Sequence, residues 1–166
     1  MRRIARPRGT AAHPGSTSQF ALVAPFDGLV EPVGIANDLP AHVTVLYPAP
    51  GDVVALTEVL APFTPFDVTF ARVDRFPGLL WLAPEPAEQF VALTEAVTSR
   101  FPAFPPYGGR YPSIIPHLTV AAALLDETAA LVEPLLPLHS HVEAVVLYES
   151  ADGRHWQELQ TFDLAA

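Results

Sequence analysis

Hydrophobic and polar positions follow two different spacings along this chain. Stretches that alternate, or that are short, apolar and rich in β-branched and aromatic residues, predict strands. These stretches are 19–25, 41–48, 66–76, 79–83, 116–124, 138–148 and 155–164. Apolar residues three and four positions apart predict helices at 52–61, 86–101 and about 126–136. Asp52 and Asp126 are the predicted N-caps, and Pro137 ends the third helix.

One four-residue pattern occurs twice, as His42-Val43-Thr44-Val45 and as His117-Leu118-Thr119-Val120. Chance predicts only about 0.04 copies of His-x-Thr-Val in a chain of this composition. Two positions apart on a strand, His and Thr point to the same side, whereas the apolar residues point to the other. Each copy therefore offers an imidazole and a hydroxyl on one face and anchors the strand in a core with the other face.

The two copies begin matching halves of the chain. Each half has the order motif strand, helix, strand, turn, strand, which indicates an internal duplication. The predicted fold class is α+β: two pseudo-two-fold related antiparallel sheets flank a central cleft, with the helices outside. Residues 19–166 are predicted to form one two-lobed domain, with lobes at about 36–84 and 111–166. Residues 1–18 lack periodicity and are predicted to be a mobile tail.

The charge distribution limits the range of ligands. The net charge is −9 and Lys is absent; four of the nine Arg lie in the first eight residues, so from residue 19 onward five Arg face 18 acidic residues. Because binding to long nucleic acids depends on neutralising many phosphates, we expect a small nucleotide or an RNA end as the partner instead. The candidates for holding its phosphate include all five of these arginines: Arg72, Arg75, Arg100, Arg110 and Arg154.

Two absences narrow the class of protein. The chain has no Cys, which removes disulfides, thiolate nucleophiles and Cys-based zinc sites. No apolar run reaches the roughly 18 residues that a membrane span needs, and no signal-peptide core is present, so no membrane partner is expected. We therefore expect a cytoplasmic protein.

The residue types of the repeated motif suit phosphate ester chemistry. With a pKa near 6.5, one His can be neutral and its partner protonated at neutral pH, so the pair can act as general base and general acid. The two Thr hydroxyls can hold the non-bridging oxygens of the phosphate. His42 and His117 are thus the candidate catalytic residues, and Thr44 and Thr119 are candidate substrate-binding residues.

Residues near the motifs are weaker candidates for substrate binding. Tyr47 follows the first motif and can stack on a base, although strict alternation turns it toward the core. Arg110, Tyr107 and Tyr111 lie in the loop before the second motif, and loops on a rigid scaffold often carry binding residues. Four other aromatic residues are assigned to the core: Phe76, Trp81, Phe101 and Phe104.

Two alternatives stay open from the residues alone. His139 and His141 form a His-x-His on one strand face, which is a possible metal pair, although a solvated strand face explains them as well. The second alternative is a module that binds nucleotides or RNA ends with little turnover.

The pair of His-x-Thr motifs in duplicated halves resembles the two-histidine phosphoesterase superfamily. The flank His42-Val43-Thr44-Val45-Leu46-Tyr47-Pro48 looks most like its bacterial 2′-5′ RNA ligase-like branch. The resemblance implies action on 2′,3′-cyclic phosphates or 2′-5′ linkages without a metal or other cofactor. It also implies His42, Thr44, His117 and Thr119 as the functional positions. By analogy with hydrolysis of related cyclic phosphates, His42 is the expected acid and His117 the expected base.

Overall fold

A computed structural model describes residues 18–165, so the predicted tail lies outside the described residues except for Ser18. The described chain forms eight strands, which are β1 (Gln19–Pro25), β2 (His42–Leu46), β3 (Phe66–Phe76), β4 (Leu79–Glu85), β5 (Leu118–Ala121), β6 (Leu138–Val142), β7 (Ala144–Ser150) and β8 (Gln157–Asp163). Its helices are α1 (Val53–Leu60), α2 (Glu88–Arg100) and α3 (Leu125–Val132).

All eight strands join one antiparallel sheet in the order β6-β3-β4-β5-β2-β1-β7-β8. The predicted α+β class is therefore confirmed, and the two motif strands β2 and β5 are the central neighbours. In place of the two expected sheets, one from each repeat, the strands form a single sheet with two halves. Each half combines strands from both predicted repeats: β3 and β4 pair beside β5 and β6, while β1 and β2 lie beside β7 and β8.

The two halves meet at a narrow join. β2 and β5 have a single registered pair, Val43 opposite Leu118. Beyond it, the loop residue Val33 takes over the edge of β5: its N–H donates to the Val120 carbonyl (2.9 Å) and its carbonyl accepts from the Ala122 N–H (2.8 Å). The inserted loop therefore ends the pairing and leaves the motif strands joined only beside their His and Thr residues.

The core lies on one face of the sheet, where the apolar motif residues point. Val43 and Leu118 are both fully buried, with 0% of their surface exposed. α2 contributes Phe90 and Leu93 to the same core, and its buried Thr94 hydroxyl donates to the Val45 carbonyl of β2 (2.7 Å). Packing of the helix face against β2 thus fixes the strand that carries the first motif.

The element boundaries agree with the sequence pattern in most places and differ in three. One is the end of the third helix: α3 ends at Val132, before a 3-10 turn at Glu133–Leu135, and not at Pro137. Asp52 caps α1 as predicted, with its carboxylate accepting from the Ala55 N–H (3.0 Å). Asp126 is not a cap: α3 begins one residue earlier, after Leu124 in a left-handed conformation, and Asp126 lies in the first turn. The single strand predicted at 138–148 is two strands, β6 and β7, divided at Glu143, where the chain passes from one half of the sheet to the other.

Among the residues from 18 to 165, no helix has the length and apolarity needed to cross a membrane.

Candidate active site

The sheet register brings the four motif side chains together. Val43 lies opposite Leu118, and both are buried. Carrying this antiparallel register one residue in each direction puts His42 beside Thr119 and Thr44 beside His117, all on the face away from the core. On such a face the two His lie diagonally, about 7–8 Å apart at the backbone. The four predicted residues therefore form one cluster at the centre of the sheet.

Both imidazoles are oriented by the same backbone contact. Nδ1 of His42 lies 2.7 Å from the Pro40 carbonyl, and Nδ1 of His117 lies 2.8 Å from the Ile115 carbonyl. Because a carbonyl oxygen can only accept, each Nδ1 carries the proton and donates it. Nε2 is then the nitrogen that can accept or donate a further proton. The two repeats thus present equivalent reactive nitrogens.

Burial tunes the pKa values of both rings. It lowers the pKa of His42 and of His117 below 6.5, and in both cases the backbone carbonyl opposes the shift. The charge of His117 further lowers the pKa of His42, which means that the two rings interact electrostatically. His42 is the more deeply buried of the two. A positive charge on His117 therefore disfavours a second proton on His42.

Two aromatic side chains pack against the ring of His117. Its ring packs edge-on against Phe76 (5.3 Å between ring centroids) and against Trp81 (5.7 Å), which stack on each other at 4.8 Å. Trp81 is only 4% exposed, and its buried indole N–H has no hydrogen-bond partner among the described residues. The sequence assigned both aromatic residues to the core; they are packed, but they also form the surroundings of a candidate catalytic side chain.

Tyr107, one of the weaker candidates from sequence, lies beside the first motif. Its side chain is largely buried and interacts with the Thr44 hydroxyl, which lowers the Tyr107 pKa while burial raises it more, so the net shift is upward. Its backbone has φ 50° and ψ 35°, a left-handed conformation that costs a non-Gly residue about 1 kcal/mol or more. The Tyr107 N–H donates to the Tyr47 carbonyl just beyond β2 (2.7 Å), which holds the loop in place.

The other predicted binding residues lie around this cluster rather than in it. The Tyr47 hydroxyl donates to Gln19 Oε1 (2.8 Å), and its ring meets Trp156 edge-on at 6.2 Å. Tyr111 is exposed and packs edge-on against Tyr107 (5.8 Å). Arg110 is exposed in the same loop. Among the described residues, none of these three has a hydrogen bond or ring contact with a motif side chain. Each is linked to Tyr107 instead: Tyr47 and Arg110 by backbone hydrogen bonds and Tyr111 by its ring.

The possible metal pair has other partners. His141 Nδ1 lies 2.6 Å from Asp67, and His139 Nδ1 lies 3.1 Å from the Thr69 hydroxyl. Within residues 18–165, no group of three or more His, Cys, Asp and Glu side chains is arranged to hold a metal ion. An acidic partner for one His and a hydroxyl partner for the other are what a solvated strand face provides.

A family comparison identifies the superfamily of the chain. The model of the 2′-5′ RNA ligase superfamily matches residues 24–154, a span that includes both motifs. The chain belongs to this superfamily. The comparison confirms the resemblance to two-histidine phosphoesterases and to their bacterial 2′-5′ RNA ligase-like branch. No curated protein matches the chain.

Solved structures share the fold. Escherichia coli LigT in complex with 3′-AMP is 17% identical, with a TM-score of 0.56 over 91% of this chain and 99% of LigT. TT0787 of Thermus thermophilus is 16% identical, with a TM-score of 0.57 over 88% of this chain and 97% of TT0787. LigT has also been solved with NADP+ and with ATP. At these identities the similarity establishes the fold of the chain.

Proposed function

We propose that this protein is a metal-independent phosphoesterase that acts on 2′,3′-cyclic or 2′-5′-linked phosphodiesters of small nucleotides or RNA ends. The observation that carries the proposal is the pair of His side chains on one face of the central strands, each with Nδ1 bound to a carbonyl. This arrangement leaves two equivalent Nε2 atoms available for proton transfer beside two Thr hydroxyls.

In the proposed hydrolysis, a neutral imidazole takes a proton from water as the water oxygen bonds to phosphorus. The bond from phosphorus to one ribose oxygen breaks, and a protonated imidazole gives its proton to that oxygen. Thr44 and Thr119 donate to the non-bridging oxygens as negative charge builds on them. An in-line displacement needs the base and the acid on opposite sides of phosphorus. The diagonal placement of the two His puts one on each side of a phosphate bound between them.

The roles of the two His follow from their surroundings. His42 is the more deeply buried ring, and its pKa is lowered both by that burial and by the charge of His117. We therefore propose His42 as the general base and His117 as the general acid. The analogy with related cyclic phosphates gave the opposite roles, with His42 as acid and His117 as base, because it did not take the burial of each ring into account.

The test is turnover of a panel of nucleoside 2′,3′-cyclic phosphates and 2′-5′ dinucleotides, with EDTA present. Wild-type protein is expected to hydrolyse at least one of them, while His42→Ala and His117→Ala each lose at least about 10²-fold in kcat/KM. His155→Ala, an exposed His bound to Asp152, is the matched control and should retain full activity.

Circular dichroism establishes that each variant is folded before rates are compared. Full activity of the double variant His42→Ala/His117→Ala would overturn the proposal. Binding of the nucleotides without turnover by wild type would favour the binding-module alternative, and loss of activity with EDTA would favour a metal site.

A further inference from the structure

Arg72 lies on the same face of the sheet as the two His. Trp81 of β4 touches the ring of His117, and Asp74 of β3 is registered directly opposite Trp81. The Asp74 carboxylate accepts from Arg72 Nη1 at 2.7 Å. Because directly opposed residues of neighbouring strands share a face, this chain of contacts connects Arg72 to the face of His117.

A β-bulge explains why an arginine occupies this place. Two residues of β3, Ala71 and Arg72, lie opposite the single residue Ala83 of β4. The register of β4 with β5 puts Ala83 beside His117, so His117, Ala83 and Arg72 form one row across the sheet. At roughly 4.8 Å per strand, the backbones of His117 and Arg72 are about 10 Å apart. Ala83, between them in the row, is buried (6% exposed), so neighbouring side chains cover its methyl group.

The remaining arginines of residues 18–165 have other surroundings. Arg75 points to the other face and pairs with Asp126 of α3 (2.8 Å). Arg100 lies over the Phe101 ring at the end of α2 (5.1 Å), and Arg110 and Arg154 are exposed in loops. Arg110 is linked to the site only by its backbone N–H, which donates to the Tyr107 carbonyl (3.4 Å). Arg72 is the arginine whose guanidinium is held, through Asp74, beside the strand position of Trp81 and so on the face of His117.

We propose that Arg72, held by Asp74, binds a second phosphate of the substrate, one removed from the reacting phosphate. This rests on the proposed function and narrows it: the substrate class is a nucleotide or RNA end that carries a 5′ phosphate as well as the reacting 2′,3′ group. A guanidinium can contact two phosphate oxygens at once. The backbones of His117 and Arg72 are about 10 Å apart, two strand spacings. Arg72 is therefore placed to contact a group next to the reacting phosphate and not the reacting phosphate itself.

The test compares adenosine 2′,3′-cyclic phosphate with the same compound bearing a 5′ phosphate. Wild type is expected to prefer the 5′-phosphorylated substrate by about tenfold in kcat/KM, and Arg72→Ala to lose this preference while keeping its rate on the simpler substrate. Arg72→Lys should retain part of the preference. Arg75→Ala, on the same strand but the opposite face, is the matched control and should keep it in full.

Equilibrium binding separates this inference from the proposed function. Titrations with adenosine 3′-phosphate and adenosine 3′,5′-bisphosphate require no turnover and should show the same preference and the same loss in Arg72→Ala. If wild type binds with that preference but hydrolyses neither substrate, the proposed function fails and the subsite stands. Equal losses for both ligands in Arg72→Ala, or no preference in wild type, would overturn the subsite.

Discussion

The two His-x-Thr motifs have the same backbone geometry and different surroundings. In both, Nδ1 donates to the carbonyl two residues earlier, and the flanking apolar residue is fully buried. His42 is the more deeply buried ring. His117 instead packs against the aromatic pair of Phe76 and Trp81. Duplication therefore explains the shared scaffold, while residues outside the repeat make the two copies unequal.

The hydroxyls differ in the same way. Thr44 interacts with the Tyr107 side chain, whose loop conformation is fixed by a hydrogen bond to the end of β2. Thr119 lies opposite Trp81 on the neighbouring strand. Because general acid–base catalysis needs one neutral and one protonated group, unequal surroundings that favour a proton on one of the two His suit the proposed reaction.

The largest expected effect distinguishes acid from base. A substrate with an activated leaving group, such as bis(p-nitrophenyl) phosphate, needs little protonation of the departing oxygen. The activity of His117→Ala relative to wild type should be at least about 10²-fold higher on that substrate than on a cyclic nucleotide. The relative activity of His42→Ala should be equally low on both substrates. Rates of both variants on both substrates give the comparison. Recovery by His42→Ala alone would return the roles to the assignment by analogy.

The next effect compares the two hydroxyls. Thr44→Val and Thr119→Val keep the β-branched shape and remove a donor, so each should lower kcat about 10²-fold. Tyr107→Phe should lower kcat about tenfold by acting through Thr44 alone. In the double variant with Thr44→Val it should therefore lower kcat little further, whereas in the double variant with Thr119→Val it should have its full effect of about tenfold.

Thr69→Val is the control for this series, since Thr69 is bonded to His139 on β6 and not to a motif residue. Steady-state rates of the single and double variants make up the cycle. If the Tyr107→Phe effect is equal in both Thr backgrounds, the asymmetry of the two hydroxyls does not exist.

The smallest effect concerns pH. With the pKa of both His lowered, the bell-shaped profile of kcat/KM should have its optimum below pH 6.5: the acidic limb reports His42 and the basic limb reports His117. Trp81→Ala admits water to His117, which should raise its pKa and move the basic limb to higher pH while the acidic limb stays. Trp81→Phe keeps a ring there and should leave the limb in place.

The pH profiles are comparable only if Trp81→Ala is folded during the measurement. Trp81→Ala is expected to lower the free energy of unfolding by about 3–5 kcal/mol, so profiles are measured at a temperature where the variant is folded. A shift of the acidic limb instead of the basic one would assign His117 as the base.

Local pattern was sufficient for the parts of the molecule that depend on neighbouring residues. The strand at Phe66–Phe76 and the cap at Asp52 agree with the sequence prediction because alternation and capping are set within a few positions. Glu143 shows the limit of that reasoning. The stretch from Leu138 to Tyr148 is continuous in pattern, but its two parts pair with different halves of the sheet, and such pairing depends on distant strands.

The candidate site divides in the same way. The sequence alone determined that His42 and Thr44, and likewise His117 and Thr119, share a face, because side chains on a strand alternate. Only the tertiary structure decided that both faces are the same one, that Phe76 and Trp81 pack against His117, and that Arg72, at a bulge, lies on that face too. The reason is that strand order, register and bulges are set by long-range pairing, which no local period of the sequence records.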